Sequence, residues 1–160
     1  MIRPITYNDR KNILRLLRQT GVFNEEEITV ATEIVDLVLE KKDGGDYQTF
    51  SYYDTENQFM GYICFGPIPM TDSRYDFYWI AVDQQAKGKG VAAELVEFME
   101  KRIAWQGGGK VYLDTSSTPP YEAARRFYKK QGYYRVCVLD DFYREGDSKI
   151  MFMKDIDASK

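Results

Sequence analysis

The stretch richest in chemistry is Val82-Asp83-Gln84-Gln85-Ala86-Lys87-Gly88-Lys89-Gly90-Val91-Ala92-Ala93, where two glycines and two lysines separate an apolar run from an amphipathic one. Glycine reaches positive φ without steric penalty, so successive backbone amides in such a turn can converge on one concavity at the start of a helix. The helix dipole favours a pyrophosphate there, and Lys87 and Lys89 add positive charge. A loop that needs two glycines only to turn has the same composition. Spacing separates the phosphate patterns. A P-loop needs Gly five positions before its Lys and Ser or Thr after it; Lys89 has Gln84 and Gly90 in those places. A dinucleotide fingerprint fits Gly88-x-Gly90-x-x-Ala93 better, with Asp114 about 20 residues further on. Against it, the motif falls past the middle of the chain, which leaves too little sequence for a doubly wound sheet.

Two other residues could move protons. In Lys110-Val111-Tyr112-Leu113-Asp114-Thr115-Ser116, strand alternation puts Val111 and Leu113 on one face and Asp114 and Ser116 on the other. Asp114 can accept a proton from that polar face, or cap a loop together with Thr115 and Ser116; Asp76 on the preceding strand is the reserve. Tyr128 carries a hydroxyl that can donate, and its ring equally suits the apolar face of a helix beside Ala124 and Phe127.

The elements that must position these groups follow from pattern. Ile2 to Ile5 reads as a short strand, and Asp9 is expected to cap a helix with Ile13, Leu14, Leu16 and Leu17 at helical spacing. Asn24 caps a second, with Glu25, Glu26 and Glu27 in its first turn, and Gly44-Gly45 ends it. Tyr47 to Asp54 and Gln58 to Gly66 form a hairpin around Thr55-Glu56-Asn57, closed by Pro67 and Pro69, and Tyr75 to Val82 is the next strand. A helix spans Val91 to Trp105 and stops at Gly107-Gly108-Gly109. The strand Lys110 to Ser116, a helix from Pro120 to Gln131 ended by Gly132, and strands Tyr133 to Leu139 and Lys149 to Lys154 complete the chain. Asp140 to Asp147 reads as an acidic, aromatic loop between the last two strands. Without linker or repeat, residues 1–160 are expected to form one mixed α/β domain.

Gln85-x-x-Gly88-x-Gly90 also matches the Gln/Arg-x-x-Gly-x-Gly/Ala signature. Together with Tyr78-Trp79-Ile80-Ala81-Val82-Asp83 before the turn and Ala124-Arg125-Arg126-Phe127-Tyr128-Lys129-Lys130-Gln131-Gly132-Tyr133 near the end, it makes the chain resemble the GNAT family of acetyltransferases over nearly its whole length. The resemblance implies a GNAT fold, an α/β architecture with a central mixed, mostly antiparallel sheet flanked by helices. It implies acetyl-CoA as cosubstrate, with the pyrophosphate on the amides of Lys87, Gly88, Lys89, Gly90, Val91 and Ala92 after Gln85, and the pantetheine arm along Ile80, Ala81 and Val82. Attack on a thioester needs a neutral amine, whose free pKa is about 10, so a base is required, and the departing thiolate benefits from an acid. Tyr128 matches the tyrosine that is the general acid in many family members. Asp114 matches the position of the glutamate base in ribosomal-protein alanine acetyltransferases; being one methylene shorter, it is expected to act through water. Tyr121 departs from the asparagine many members carry at the start of the last helix, which leaves pantetheine contacts there open.

A chain of 160 residues, 44% apolar and 15% aromatic, can bury one core, and it contains no run long enough to span a membrane. Its start lacks a signal-like pattern, which points to the cytoplasm. Cys64 and Cys137 sit in apolar runs and suit reduced core thiols. A charge of −3, a pI of about 5.1 and dispersed basic residues give no footprint for nucleic acid. With no histidine, His-based triads and His-containing metal sites are excluded, and no metal is expected. A non-catalytic acetyl-CoA sensor and an oxidoreductase stand as alternatives to the transferase. Peptide N-termini, polyamines, amino sugars and free amino acids are all open as acceptors, and the oligomeric state is not legible.

Overall fold

The first two helices begin where side chains satisfy their free amides. The computed structural model describes residues 1–41 and 46–159, and in it Thr6 and Asn24 are the N-caps of α1 (Tyr7–Thr20) and α2 (Glu25–Glu40). Asp9, expected at the cap itself, stands at the third helical position instead. There its carboxylate reaches back to the Thr6 amide at 2.7 Å and hydroxyl at 2.9 Å, the acidic half of a capping box. Asn24 and Glu27 make the reciprocal pair at α2, both bonds at 2.8 Å. Gly44 and Gly45, expected to end α2, lie outside the described residues.

The strands are β1 (Ile2–Pro4), β2 (Gln48–Tyr53), β3 (Phe59–Pro67), β4 (Arg74–Val82), β5 (Gly109–Ser116), β6 (Tyr134–Arg144) and β7 (Asp147–Ile156). They form one sheet in the order β1-β2-β3-β4-β5-β7-β6, antiparallel throughout except where β4 meets β5. The helices α3 (Val91–Trp105) and α4 (Glu122–Lys130) complete the chain. Val91, Leu95, Met99 and Ile103, four residues apart on one stripe of α3, are buried against Phe65, Phe77, Val111 and Phe152 on one face of the sheet. Ile13, Leu16 and Leu17 of α1 and Ile28, Ala31 and Val35 of α2 bury against Tyr62, Cys64 and Ala81 on the other. Each buried Val, Leu, Ile, Phe or Met among them contributes about 1.5–3 kcal/mol by leaving water. The sheet is thereby held between two helical layers, as the mixed, mostly antiparallel expectation required.

The last third of the chain departs most from its expected boundaries. The final helix opens with a 3₁₀ turn at Pro119–Tyr121, and α4 itself starts at Glu122. Most of the expected loop from Asp140 to Asp147 is strand: β6 runs on to Arg144 and β7 begins at Asp147. Almost every β6 residue is exposed, so acids there stay hydrated within a strand and polarity does not mark a loop. Cys64 is a buried core thiol, whereas Cys137 sits half-buried on this outer strand, not in the core. Burial pushes the Cys64 thiol up to about 12.

Candidate active site

Strands β4 and β5 pair for only three residues, Arg74 with Lys110, Tyr75 with Val111 and Asp76 with Tyr112. Beyond that point β4 pairs only with β3 and β5 only with β7, so the sheet opens between them. A bulge sits at the opening. Cys64 faces Trp79 and Phe65 faces Phe77, which leaves Tyr78 as an extra residue on β4. The bulge shifts the alternation: Phe77, Ile80 and Val82 all join the core under α3, while Tyr78, Trp79 and Ala81 join the core under α1 and α2. The stretch Ile80 to Val82 therefore lines the unpaired edge of β4 and leads directly into the glycine turn.

In that turn a 3₁₀ segment, Gln84–Ala86, follows Asp83, whose carboxylate accepts from the Gln85 amide at 2.9 Å. Buried Ala86 and Val91 pin the turn to the core at two points, and Gln85 before them and Lys87, Gly88, Lys89 and Gly90 between them are exposed. Gly88 and Gly90 take φ of +80° and +84°, and a Cβ on either meets nothing within 4 Å. The glycines are required by backbone conformation and leave clear space above the turn. The amides divide. Those of Lys87 and Lys89 are bonded within the turn, to Gln84 at 3.2 Å and Ala86 at 3.1 Å, whereas the first helical bond is Glu94 to Gly90. Among the described residues, the amides of Gly88, Gly90, Val91, Ala92 and Ala93 have no partner. Within the expected cradle, therefore, the Lys87 and Lys89 amides are bonded inside the turn while their side chains are exposed, and Ala93 beyond it has a free amide. Five free amides at a helix start are a ready anion site.

Tyr128 lies across the opening on the α3 side. Its ring is 5.8 Å from Phe77, the first β4 residue past the β4–β5 pairing, and 6.3 Å from Phe152, which pairs with Leu113 of β5. Its hydroxyl has no hydrogen-bond partner among the described residues, and burial pushes it up to about 12, so it stays protonated at neutral pH. Tyr128 thus packs as a core-edge aromatic and also presents an uncommitted O–H beside the opening.

The opposite face gathers the carboxylates. Asp76 and Asp114 share it through the Asp76–Tyr112 pairing and the alternation of β5. Burial raises the Asp76 carboxyl above the ordinary range and the Asp114 charge adds to this, while the Tyr78 hydroxyl and Lys149 oppose it. Asp114 is more exposed and pairs with Lys149 Nζ at 3.1 Å. Sequence spacing did not reveal Lys149: it reaches Asp114 only through the register that sets Met151 opposite that residue. Lys149 also lies 4.1 Å from the Phe142 ring centroid. Tyr121, the departure from the family pattern, has a definite partner here. Its hydroxyl donates to Glu27 Oε1 at 2.8 Å and so ties the entrance of α4 to the first turn of α2. Burial, followed by the charges of Asp114, Asp147 and Glu27, pushes Tyr143 up to about 12. Asp147 accepts from buried Ser116 at 2.5 Å, and Arg125 holds the backbone oxygens of Ser116 and Thr118 at 2.6 and 3.0 Å, fixing the β5–α4 connection. Two surface depressions, about 490 and 300 Å³, lie on the outer side of α1 and α2 and include none of these residues.

With a single parallel strand pair, the sheet is not the doubly wound one a dinucleotide fingerprint requires. The pattern of the acetyltransferase (GNAT) family matches residues 12–133. A GNAT-family protein from Desulfovibrio desulfuricans is 32% identical and superposes over 98% of both chains with a TM-score of 0.89. An aminoglycoside 6'-N-acetyltransferase complexed with coenzyme A, 19% identical, superposes over 100% of this chain and 99% of its own at a TM-score of 0.73. The ribosomal-protein-S18-alanine N-acetyltransferase from Escherichia coli, 15% identical, covers 100% and 96% at 0.76; these last two share the fold. No curated protein matches the sequence significantly. The family pattern spans the glycine turn, the parted strands and the helix of Tyr128, and the chain belongs to the GNAT family of acetyltransferases.

Proposed function

We propose that this protein, acting as one domain in the cytoplasm, transfers the acetyl group of acetyl-CoA to a primary amine. The observation that carries the reading is the parting of β4 from β5, with free amides at the end of β4, a tyrosine hydroxyl on one side and carboxylates on the other. The five free amides and the clear space over Gly88 and Gly90 fit a pyrophosphate, with Lys87 and Lys89 adding charge. The unpaired edge at Ile80, Ala81 and Val82 fits a pantetheine arm, whose amides can bond strand backbone. Acetyl-CoA supplies an acyl carbon bonded to a good leaving thiolate.

The chain's own residues manage the protons. An alkylamine arrives as the ammonium, and Glu27, Asp76, Asp114 and Asp147 on the acceptor face favour a cation there. Asp76, whose carboxyl is raised and which has no ion-pair partner among the described residues, is the better placed base, and Asp114, held by Lys149, orients the cation and tunes Asp76. The carboxylate takes one proton from the ammonium, directly or through water, and so frees the nitrogen lone pair; as the C–N bond forms and the C–S bond breaks, the nitrogen gives up a second proton, which leaves with the coenzyme A thiol after Tyr128 has shared its own proton with the departing sulfur. Among the described residues no helix is long and apolar enough to cross a membrane.

A thiol-release assay with acetyl-CoA across amino sugars, polyamines, amino acids and peptide N-termini tests this directly. Amine-dependent release of free coenzyme A is expected. Tight acetyl-CoA binding without release on any amine would instead make the protein a binding module.

A further inference from the structure

Of the large apolar side chains exposed among the described residues, half stand on one strand: Tyr134, Val136, Val138, Leu139, Phe142 and Tyr143 of β6. Among the described residues that strand is the last in the sheet and bonds only to β7, which leaves its other edge free. Natural proteins charge, shorten or cover such edges, because a long apolar one is a template for pairing. Between Val136 and Leu139 this edge carries no charge at all, and Val138 is 39% exposed.

We propose that a second copy of this chain covers it, β6 pairing antiparallel with β6 about a two-fold axis. Charge identifies the occupant. The strand has Arg135 in its first half and Asp140 and Asp141 in its second, ahead of a terminal Arg144 that pairs with Asp147 at 3.8 Å, so antiparallel self-pairing brings opposite charges together, whereas parallel pairing sets Arg135 beside Arg135. Residues directly opposite must share a sheet face, so a two-fold normal to the sheet passes through a residue that faces itself. With Val138 there, Cys137 faces Leu139, and beyond that pair the bulges at Val136 and between Leu139 and Arg144 bring Arg135 toward Asp140 and Asp141 of the other copy. Moving the axis to Cys137 sets Arg135 against Val138 and Tyr134 against Leu139 across the Val136 bulge, which is the poorer match. A two-fold pairing closes at two copies and leaves neither β6 edge open to growth. This inference does not depend on acetyl transfer.

Sedimentation equilibrium of the full chain tests it. The wild type is expected at twice the 18.7 kDa of one chain. Val138→Lys and Val138→Glu, each with a wild-type circular dichroism spectrum, are expected as monomers, because like charges meet at the axis. Mixing the two in equal amounts is expected to restore the dimer, with Lys facing Glu. Val138→Thr, uncharged and β-branched, is expected to remain dimeric. Should a charged variant not fold, Arg135→Glu takes its place and is expected to weaken the dimer at least about tenfold. A monomeric wild type, dimers that persist in both charged variants, or a mixture that stays monomeric would each overturn the proposal.

Discussion

Tyr128→Phe removes a single oxygen from a ring packed 5.8 Å from Phe77 and 6.3 Å from Phe152, and it leaves those contacts in place. The hydroxyl has no partner among the described residues, so its loss breaks no internal hydrogen bond. Folding stability is expected to be unchanged or to rise by up to about 1 kcal/mol, which at this chain length is a melting-temperature gain of about 2–4 °C or less. The rate is expected to move the other way. At about 12 the hydroxyl is a weaker acid than a thiol, whose ordinary pKa is about 8.5, so complete proton transfer to the sulfur is uphill. Tyr128 then helps by sharing the proton as negative charge develops. That places its contribution near the lower end of general acid catalysis, about 10²-fold or about 3 kcal/mol of barrier. The assay is single-turnover acetyl transfer at saturating acetyl-CoA, measured beside the dissociation constant and the melting curve. A chemistry-limited rate within about threefold of wild type would refute the reasoning and leave Tyr128 a packing residue.

The carboxylates separate by pH. Asp76→Asn should lower turnover most below the amine pKa and remove the acidic limb of the kcat/KM profile. Asp114→Asn removes a charge that raises Asp76 and should move that limb to lower pH, while Lys149→Gln removes one that lowers it and should move the limb up. If Asp114→Asn abolishes the limb, Asp114 is itself the base. In the double variant Gly88→Val with Gly90→Val each Cβ meets no protein atom within 4 Å, but the side chains are forced into φ of +80° and +84°, about 1–2 kcal/mol of strain each, and roof the free amides. Calorimetry should show acetyl-CoA affinity reduced by at least about tenfold in the folded double variant; unchanged affinity would move the pyrophosphate elsewhere. Away from the site, Asp9→Ala strips the fully buried acceptor of the Tyr53 hydroxyl and of Thr6. A loss of about 3 kcal/mol, roughly 6–12 °C of melting temperature, is expected, and a drop below about 2 °C would contradict the role given to that network.

Local rules made much of this fold legible. Asn24 ahead of three glutamates announces a helix start, the run from Val91 to Trp105 closed by three glycines announces a helix, and Gly88 with Gly90 marks a turn that needs positive φ. What stayed hidden depends on pairing across the sheet. The bulge at Tyr78 changes which β4 side chains face α3, and no alternation rule reveals it. The division of the turn's amides into bonded and free depends on 3₁₀ bonds to Gln84 and Ala86. Lys149 and Asp114 are far apart in sequence and meet only through the β5–β7 register. The strand character of Asp140 to Arg144 was masked because residues on an outer strand need not be apolar.

Amide hydrogen exchange with and without coenzyme A tests most directly the claim that acetyl-CoA sits on the glycine turn at the end of β4. Coenzyme A is expected to slow exchange at Gly88, Gly90, Val91, Ala92 and Ala93, the amides with no internal partner, and to leave those of Lys87 and Lys89 little changed. Tight binding with no protection at those five amides would contradict the account.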